Sequence, residues 1–266
     1  MKKAHNSEYF DAFIKNEFKT IITSISGFDE EHNDEHLHTL RVSIKKIRAV
    51  MRVLYQNHQH SKKALKQLKV LFREAGAVRE MQLNANMLEK YGLKRYKAYF
   101  KLKHQIKKSS EHLIQNCATY KTIAKQSLKQ LQKETAPISI HKLQKRILKE
   151  ETILIKLINK NVHTSNQLHE IRKQLKTLQY VFKFLPEQQK LLFTLQFKDV
   201  SPLQERIGHW HDLESHYIFI KKEIPEMKEL LENLHKLKTK EFRECYSHLK
   251  ILLQKNLRLK NIPTEL

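Results

Sequence analysis

Glycine is scarce in this chain of 266 residues: Gly27, Gly76, Gly92 and Gly208 are all there is, beside five prolines. So few breakers argue against an architecture of tight hairpins and for long helices joined by short connections. Two cysteines, Cys117 and Cys245, exclude a disulfide framework and suit a reducing compartment. No apolar run reaches the roughly eighteen residues of a membrane span. The opening "MKKAHNSEYFDAFIKNEF" lacks the apolar core of a signal peptide. A cytoplasmic protein, not held in a membrane, is the expectation. Sustained period-two alternation is missing as well, so the expected fold class is all-α. Acids are absent locally, with none from His36 to Arg73.

Positive charge is what the chain has in excess. Lys and Arg number 51 against 28 Asp and Glu, for a net charge of +23. Residues 1–37 carry −4, residues 38–133 carry +19 and residues 134–266 carry +8. A field this strong and this polarised points to a polyanionic partner.

The charge is ordered. In and around "HTLRVSIKKIRAVMR", Leu37, Leu40, Ile44, Ile47, Met51 and Leu54 recur at 3,4,3,4,3, the spacing of a core-facing helical stripe. His38, Arg41, Lys45, Arg48 and Arg52 follow at the same period, with Lys46 alongside. Like charges one turn apart cost roughly 0.2–0.5 kcal/mol per pair. Arg41–Lys45, Lys45–Arg48 and Arg48–Arg52 together cost about 1 kcal/mol. Relief must come from acids distant in the chain or from a bound anion. Lys62, Lys66, Lys69 and Arg73, spaced 4,3,4, make a second basic edge. Antiparallel packing of the two helices would put both edges on one groove. Arginine then offers forked hydrogen bonding to phosphate oxygens, and lysine a movable point charge.

The pattern recurs. "HEIRKQLKTLQYVFKFL" starts at His169, 131 residues after His38, with an apolar stripe of Leu168, Ile171, Leu175, Leu178, Phe182 and Leu185. Beside it run His169, Arg172, Lys176, Gln179 and Lys183. Gly76, Arg79 and Glu80 are matched 132 residues later by Gly208, His211 and Asp212. Two segments repeated in order at one spacing indicate a duplicated unit of about 130 residues, enough for a four-helix bundle. Helices are expected near 6–26, 35–57, 61–91 (bent around Gly76) and 93–133. In the second unit they are expected near 141–161, 165–185, 188–222 (broken at Pro202 and around Gly208) and 225–260. Pro137 marks the boundary, giving units 1–136 and 137–266, and Gly92 reads as a helix C′ residue.

An H-x-x-R-V-x-x-K-K-x-R helix, a later G-x-x-R-[DE] turn, and a second copy with H-x-x-R and G-x-x-H-D together resemble the CHAD domain, the "conserved histidine α-helical domain". The resemblance runs from about residue 6 to 260. It implies two four-helix bundles related by a pseudo-two-fold axis around a basic channel, and non-catalytic binding of inorganic polyphosphate without a cofactor. Carried over by position, the implied anion-binding residues are His38, Arg41, Lys45, Lys46, Arg48 and Arg52, then His169, Arg172 and Lys176, with Tyr180 and His211 as neighbours. The basic edges add Lys62, Lys66, Lys69, Arg73, Arg79 and Lys183. Gln174, Thr177 and Gln179 stand where the family has further cations, so the first bundle is expected to dominate. Association with polyphosphate granules is the matching expectation for location.

Other readings are weaker. Nucleic acid is the second choice of partner, since electrostatics alone holds phosphodiester chains. The basic stripes, however, carry no aromatic residues for base stacking. A phosphohydrolase lacks a Gly-rich phosphate loop. His209, Asp212 and His216 share a helical face, but the first copy has Arg79 in that cluster, so no metal site is expected. Trp210 and Tyr217 read as packing residues. His38 and His169 are expected to become cations as pH falls towards 6. The acidic N-terminal segment, with "DEEHNDE" at 29–35, carries the opposite charge to the basic face and is a candidate to fold over it and compete with a ligand.

Overall fold

Asn33 starts the most basic helix by accepting a hydrogen bond from the Glu35 amide at 2.9 Å, with Asp34 and Glu35 in the positively polarised first turn. That helix, α2 (Asp34–Leu54), buries Leu37, Leu40, Ile44, Ile47, Met51 and Leu54, all of the expected stripe. The computed structural model describes residues 4–55, 59–133, 138–160 and 164–260. Among them every regular element is helical. The expected boundary residue Pro137 lies outside the described residues. The chain divides into two compact units, Met1–Ser139 and Ile140–Leu266.

In the first unit α1 (Ala4–Glu31), α2, α3 (Gln59–Lys90) and α5 (Cys117–Gln132) form a ring, each packed against the next. α4 (Lys97–Gln115) lies mainly on α3. Gly92, at φ 70°, ends α3: its amide bonds to the Glu89 carbonyl at 3.0 Å and the Leu93 amide to the Leu88 carbonyl at 2.8 Å. This is the Schellman arrangement, with glycine at the left-handed C′ position.

Two expectations need correction here. A single helix over 93–133 gives way to α4 and α5, because the Asn116 amide side chain bonds to the His112 carbonyl at 2.8 Å and competes with the backbone ladder. Gly76 makes neither a turn nor an end; it sits inside continuous α3.

The second unit is a ring of α6 (Ile140–Asn159), α7 (Ser165–Phe184), α9 (Phe197–Glu223) and α10 (Lys228–Lys260), with a single-turn α8 (Glu187–Lys190). α7 opens on a capping box in which the Thr164 hydroxyl accepts from the Gln167 amide and the Gln167 side chain accepts from the Thr164 amide. Pro202 and Gly208 were expected to break a helix, yet α9 runs through both. Burial of Val200, Leu203 and Ile207 on either side of Pro202 outweighs the one lost backbone donor. The connection ahead of α9 is pinned by Glu151, fully buried on α6. Its carboxylate accepts from the Thr194 amide (2.9 Å), the Thr194 hydroxyl (2.8 Å) and the Leu195 amide (2.9 Å).

Candidate anion-binding surface

Two contacts fix the register of α2 and α3. Asp34, in the first turn of α2, is ion-paired with Arg79 late in α3, and Arg41 reaches back to Phe72. The helices are therefore antiparallel. A face of α3 spaced 3,4,3 — Lys69, Phe72, Gly76, Arg79 — meets the His38, Arg41, Lys45, Arg48 face of α2.

At the centre of this contact is one ring under three cations. The Arg41 guanidinium carbon stands 4.2 Å from the Phe72 ring centroid, that of Arg48 at 5.5 Å and the Lys45 ammonium at 6.0 Å. Each lies within the range of cation–π attraction. Arg41 is half-buried and also donates to the Phe72 carbonyl at 2.7 Å. Burial, with Arg79 nearby, makes its charged form harder to hold; Glu80 opposes this.

Gly76 makes room for that guanidinium. A Cβ on residue 76 would stand 2.8 Å from Cζ of Arg41, and closer still to Nη1. Glycine inside a helix costs about 1 kcal/mol relative to alanine, and the notch for Arg41 accounts for it. Gly76→Ala is expected to push the guanidinium out. The gained helix propensity falls short of the charge-assisted bond lost, worth about 1.5–3 kcal/mol. The expected net loss is about 1 kcal/mol, read as a lower thermal midpoint; a raised midpoint would contradict the notch.

The remaining first-unit residues divide by partner. Lys46 is paired with Glu17 of α1 at 2.8 Å, and Arg79 with Asp34, so both find their counter-charge inside the fold. For these two cations the distant acids are within reach. His38, Lys45, Arg48, Arg52, Lys62, Lys66, Lys69 and Arg73 are exposed. Among the described residues no carboxylate lies within ion-pair distance of Arg41, Arg48, Lys62, Lys66, Lys69 or Arg73. The acidic run at 29–35 spans the end of α1, the connection and the first turn of α2, with Glu31 bonded to His36 at 2.9 Å and Asp34 paired with Arg79.

In the second unit, α7 and α9 bring His169 and His211 together, ring centroids 5.2 Å apart. Arg172 and Lys176 follow on α7, both half-buried, and the Arg172 Nε is buried without a hydrogen-bond partner. Burial first, and neighbouring cations second, hold His169, His211 and Lys176 below their ordinary values. The repelling neighbours are Arg172 and Lys173 for His169, Arg172 and His169 for His211, and Arg172 and Lys183 for Lys176. Glu170, Asp212, Glu214 and Glu205 offset part of this. Tyr180 is half-buried and Lys183 exposed.

His169 therefore takes up its proton at a lower pH than an ordinary histidine, later than the sequence suggested. Because its folded value is depressed, the unfolded chain takes up protons first as pH falls below about 6.5. Stability contributed by His169 and His211 is therefore present above that pH and lost on acidification. Thermal midpoints are expected to fall between about pH 7 and pH 5.5, and to fall less in His169→Gln/His211→Gln.

The departures from the family pattern have physical reasons. Gln174 is buried and donates to the Glu150 carboxylate at 2.8 Å, and Thr177 is buried and donates to the Lys173 carbonyl at 3.0 Å. Gln179 accepts from Lys176 at 3.4 Å. A Cβ on Gly208 would meet nothing within 4 Å, so the notch seen at Gly76 has no counterpart there. Phe182, placed in the core stripe by its spacing, is only half-buried. It stacks on Phe197 at 4.0 Å and lies under the Lys190 ammonium. Among the described residues no group of three His, Cys, Asp or Glu side chains is placed to hold a metal ion, and no helix is long and apolar enough to cross a membrane.

Phe72 is the residue that reading the stripes misses. Its only signal is its 3,4,3 spacing with Lys69, Gly76 and Arg79.

A family model described as CHAD domain matches residues 7–217. Among solved structures, the crystal structure of the CHAD domain from the plant Ricinus communis is similar. Its TM-score is 0.62 at 17% identity, over 97% of this chain and 92% of that one. That likeness bears on fold. No curated protein matches the chain.

Proposed function

The chain belongs to the CHAD domain family, and from that premise we propose that it binds inorganic polyphosphate, without catalysis, chiefly through the α2–α3 face of its first unit. The observation that carries this reading is the set of Arg41, Lys45 and Arg48 gathered over Phe72 with no acid in the sequence from His36 to Arg73. Cations spaced about 5 Å apart along a helix suit a chain whose charges are themselves closely spaced. Arg41, fixed by Gly76 and the Phe72 carbonyl, loses little freedom on binding, which favours affinity.

The second unit is the weaker contributor in this reading. It is a duplicate in which Gln204 stands 132 residues after Phe72, buried and with both amide atoms unpartnered. His169, Arg172, Lys176 and His211 still supply a cationic group there. Phe72 lies beneath Arg41 and offers no open platform for a base, which favours polyphosphate over nucleic acid. Association with polyphosphate granules would follow from such binding.

The test is a calorimetric titration with long-chain polyphosphate at about 0.15 M salt, with and without excess duplex DNA. Saturable binding that persists in DNA is expected. Equal competition by DNA would replace this reading with a general polyanion surface.

A further inference from the structure

A cavity of about 520 Å³ opens in the second unit between α10, Trp210 of α9 and the start of α7, and its lining contains no carboxylate. Its chemistry differs from that of the α2–α3 face. The floor is aromatic: Trp210, 1% exposed, meets Phe242 edge-on at 5.9 Å, and Tyr246 adds a third ring one turn along α10. The rim is cationic. Lys238 is steadied over the Tyr217 ring at 4.5 Å, and Arg243 is exposed. Neither is ion-paired among the described residues. Ser165, the first residue of α7, brings that helix's positively polarised end to the wall.

We propose that this cavity binds a mononucleotide, its base against Phe242 and Tyr246, with Trp210 packed beneath Phe242, and its phosphate on Lys238 and Arg243. A ligand of phosphate alone leaves the half-buried Phe242 and Tyr246 rings in contact with water; an apolar ligand leaves two cations without a partner. A planar base joined to a phosphate satisfies both, and the volume is in the range small ligands occupy. The site does not depend on polyphosphate binding by the first unit.

Trp210 is the chain's one tryptophan, so its emission reports on the cavity floor. The full chain is titrated with AMP, adenosine and inorganic phosphate, with equilibrium dialysis counting bound AMP. Saturable AMP binding that changes the emission is expected, with adenosine and phosphate each at least about tenfold weaker. Lys238→Ala/Arg243→Ala is expected to weaken AMP by about tenfold or more, the loss of a charge-assisted contact, and to leave polyphosphate binding unchanged. No AMP retained in dialysis, or adenosine binding as well as AMP, overturns the proposal. So does displacement of AMP by polyphosphate, which would make the cavity part of the polyanion surface.

Discussion

Arg41→Ala/Arg48→Ala is expected to weaken polyphosphate binding about a hundredfold while moving the thermal midpoint by only a few degrees. A charge-assisted hydrogen bond is worth about 1.5–3 kcal/mol, so two lost arginines remove about 3–6 kcal/mol of contact. Lys45, Lys62, Lys66, Lys69 and Arg73 remain exposed nearby, and a flexible polyanion shifts onto them and recovers part. About 3 kcal/mol is left, which is the hundredfold. The salt dependence is expected to flatten with it. Two fewer phosphate contacts lower the slope of log affinity against log salt by about 1.4 if polyphosphate behaves like a single-stranded polyanion. Stability changes little because two effects oppose: Arg41 gives up its bond to the Phe72 carbonyl, and the α2 row loses its like-charge repulsion. Titration calorimetry and thermal unfolding of one preparation check both halves. A large fall in midpoint would recast Arg41 as a residue that holds α2 to α3, with no part in binding.

Glu151→Ala is expected to destabilise the second unit by about 3–5 kcal/mol. The carboxylate is fully buried and takes two backbone amides and one hydroxyl from Thr194 and Leu195. Truncation strands all three donors in the connection that delivers α9, each at about 1–3 kcal/mol, with partial relief from water entering the space. Glu151→Gln keeps an oxygen for one or two of the donors but turns an NH₂ towards the others, so a smaller loss is expected. Denaturant unfolding separates the two variants. Equal stability of Glu151→Ala and the parent would mean the connection finds other acceptors.

The sequence reads well where one helix decides the outcome. The 3,4,3,4,3 stripe from Leu37 to Leu54 is buried along its whole length, and the stop at Gly92 has the hydrogen bonds its position predicts. It reads poorly where a competing local bond or a distant partner decides. Asn116 splits α4 from α5 through one side-chain bond to His112, and Pro202 fails to split α9 because its neighbours are buried. The ion pairs Lys46–Glu17 and Arg79–Asp34 join residues far apart in the chain, so two cations counted as ligand-facing proved to be internally satisfied. Gly76 shows the same limit. Alone in the sequence it suggested a bend; beside α2 it is the space Arg41 occupies. Helical periodicity assigns residues to a face, and only tertiary register shows what that face meets.

Whether polyphosphate engages the α2–α3 face through its arginines can be read from NMR of the arginine Nε–Hε groups during a polyphosphate titration. Arg→Lys variants assign the signals. Arg41 and Arg48 are expected to shift along the binding curve, while Arg206, paired with Glu244 in the second unit, does not move. Signals of Arg41 and Arg48 that stay in place while polyphosphate binds would contradict engagement through that face.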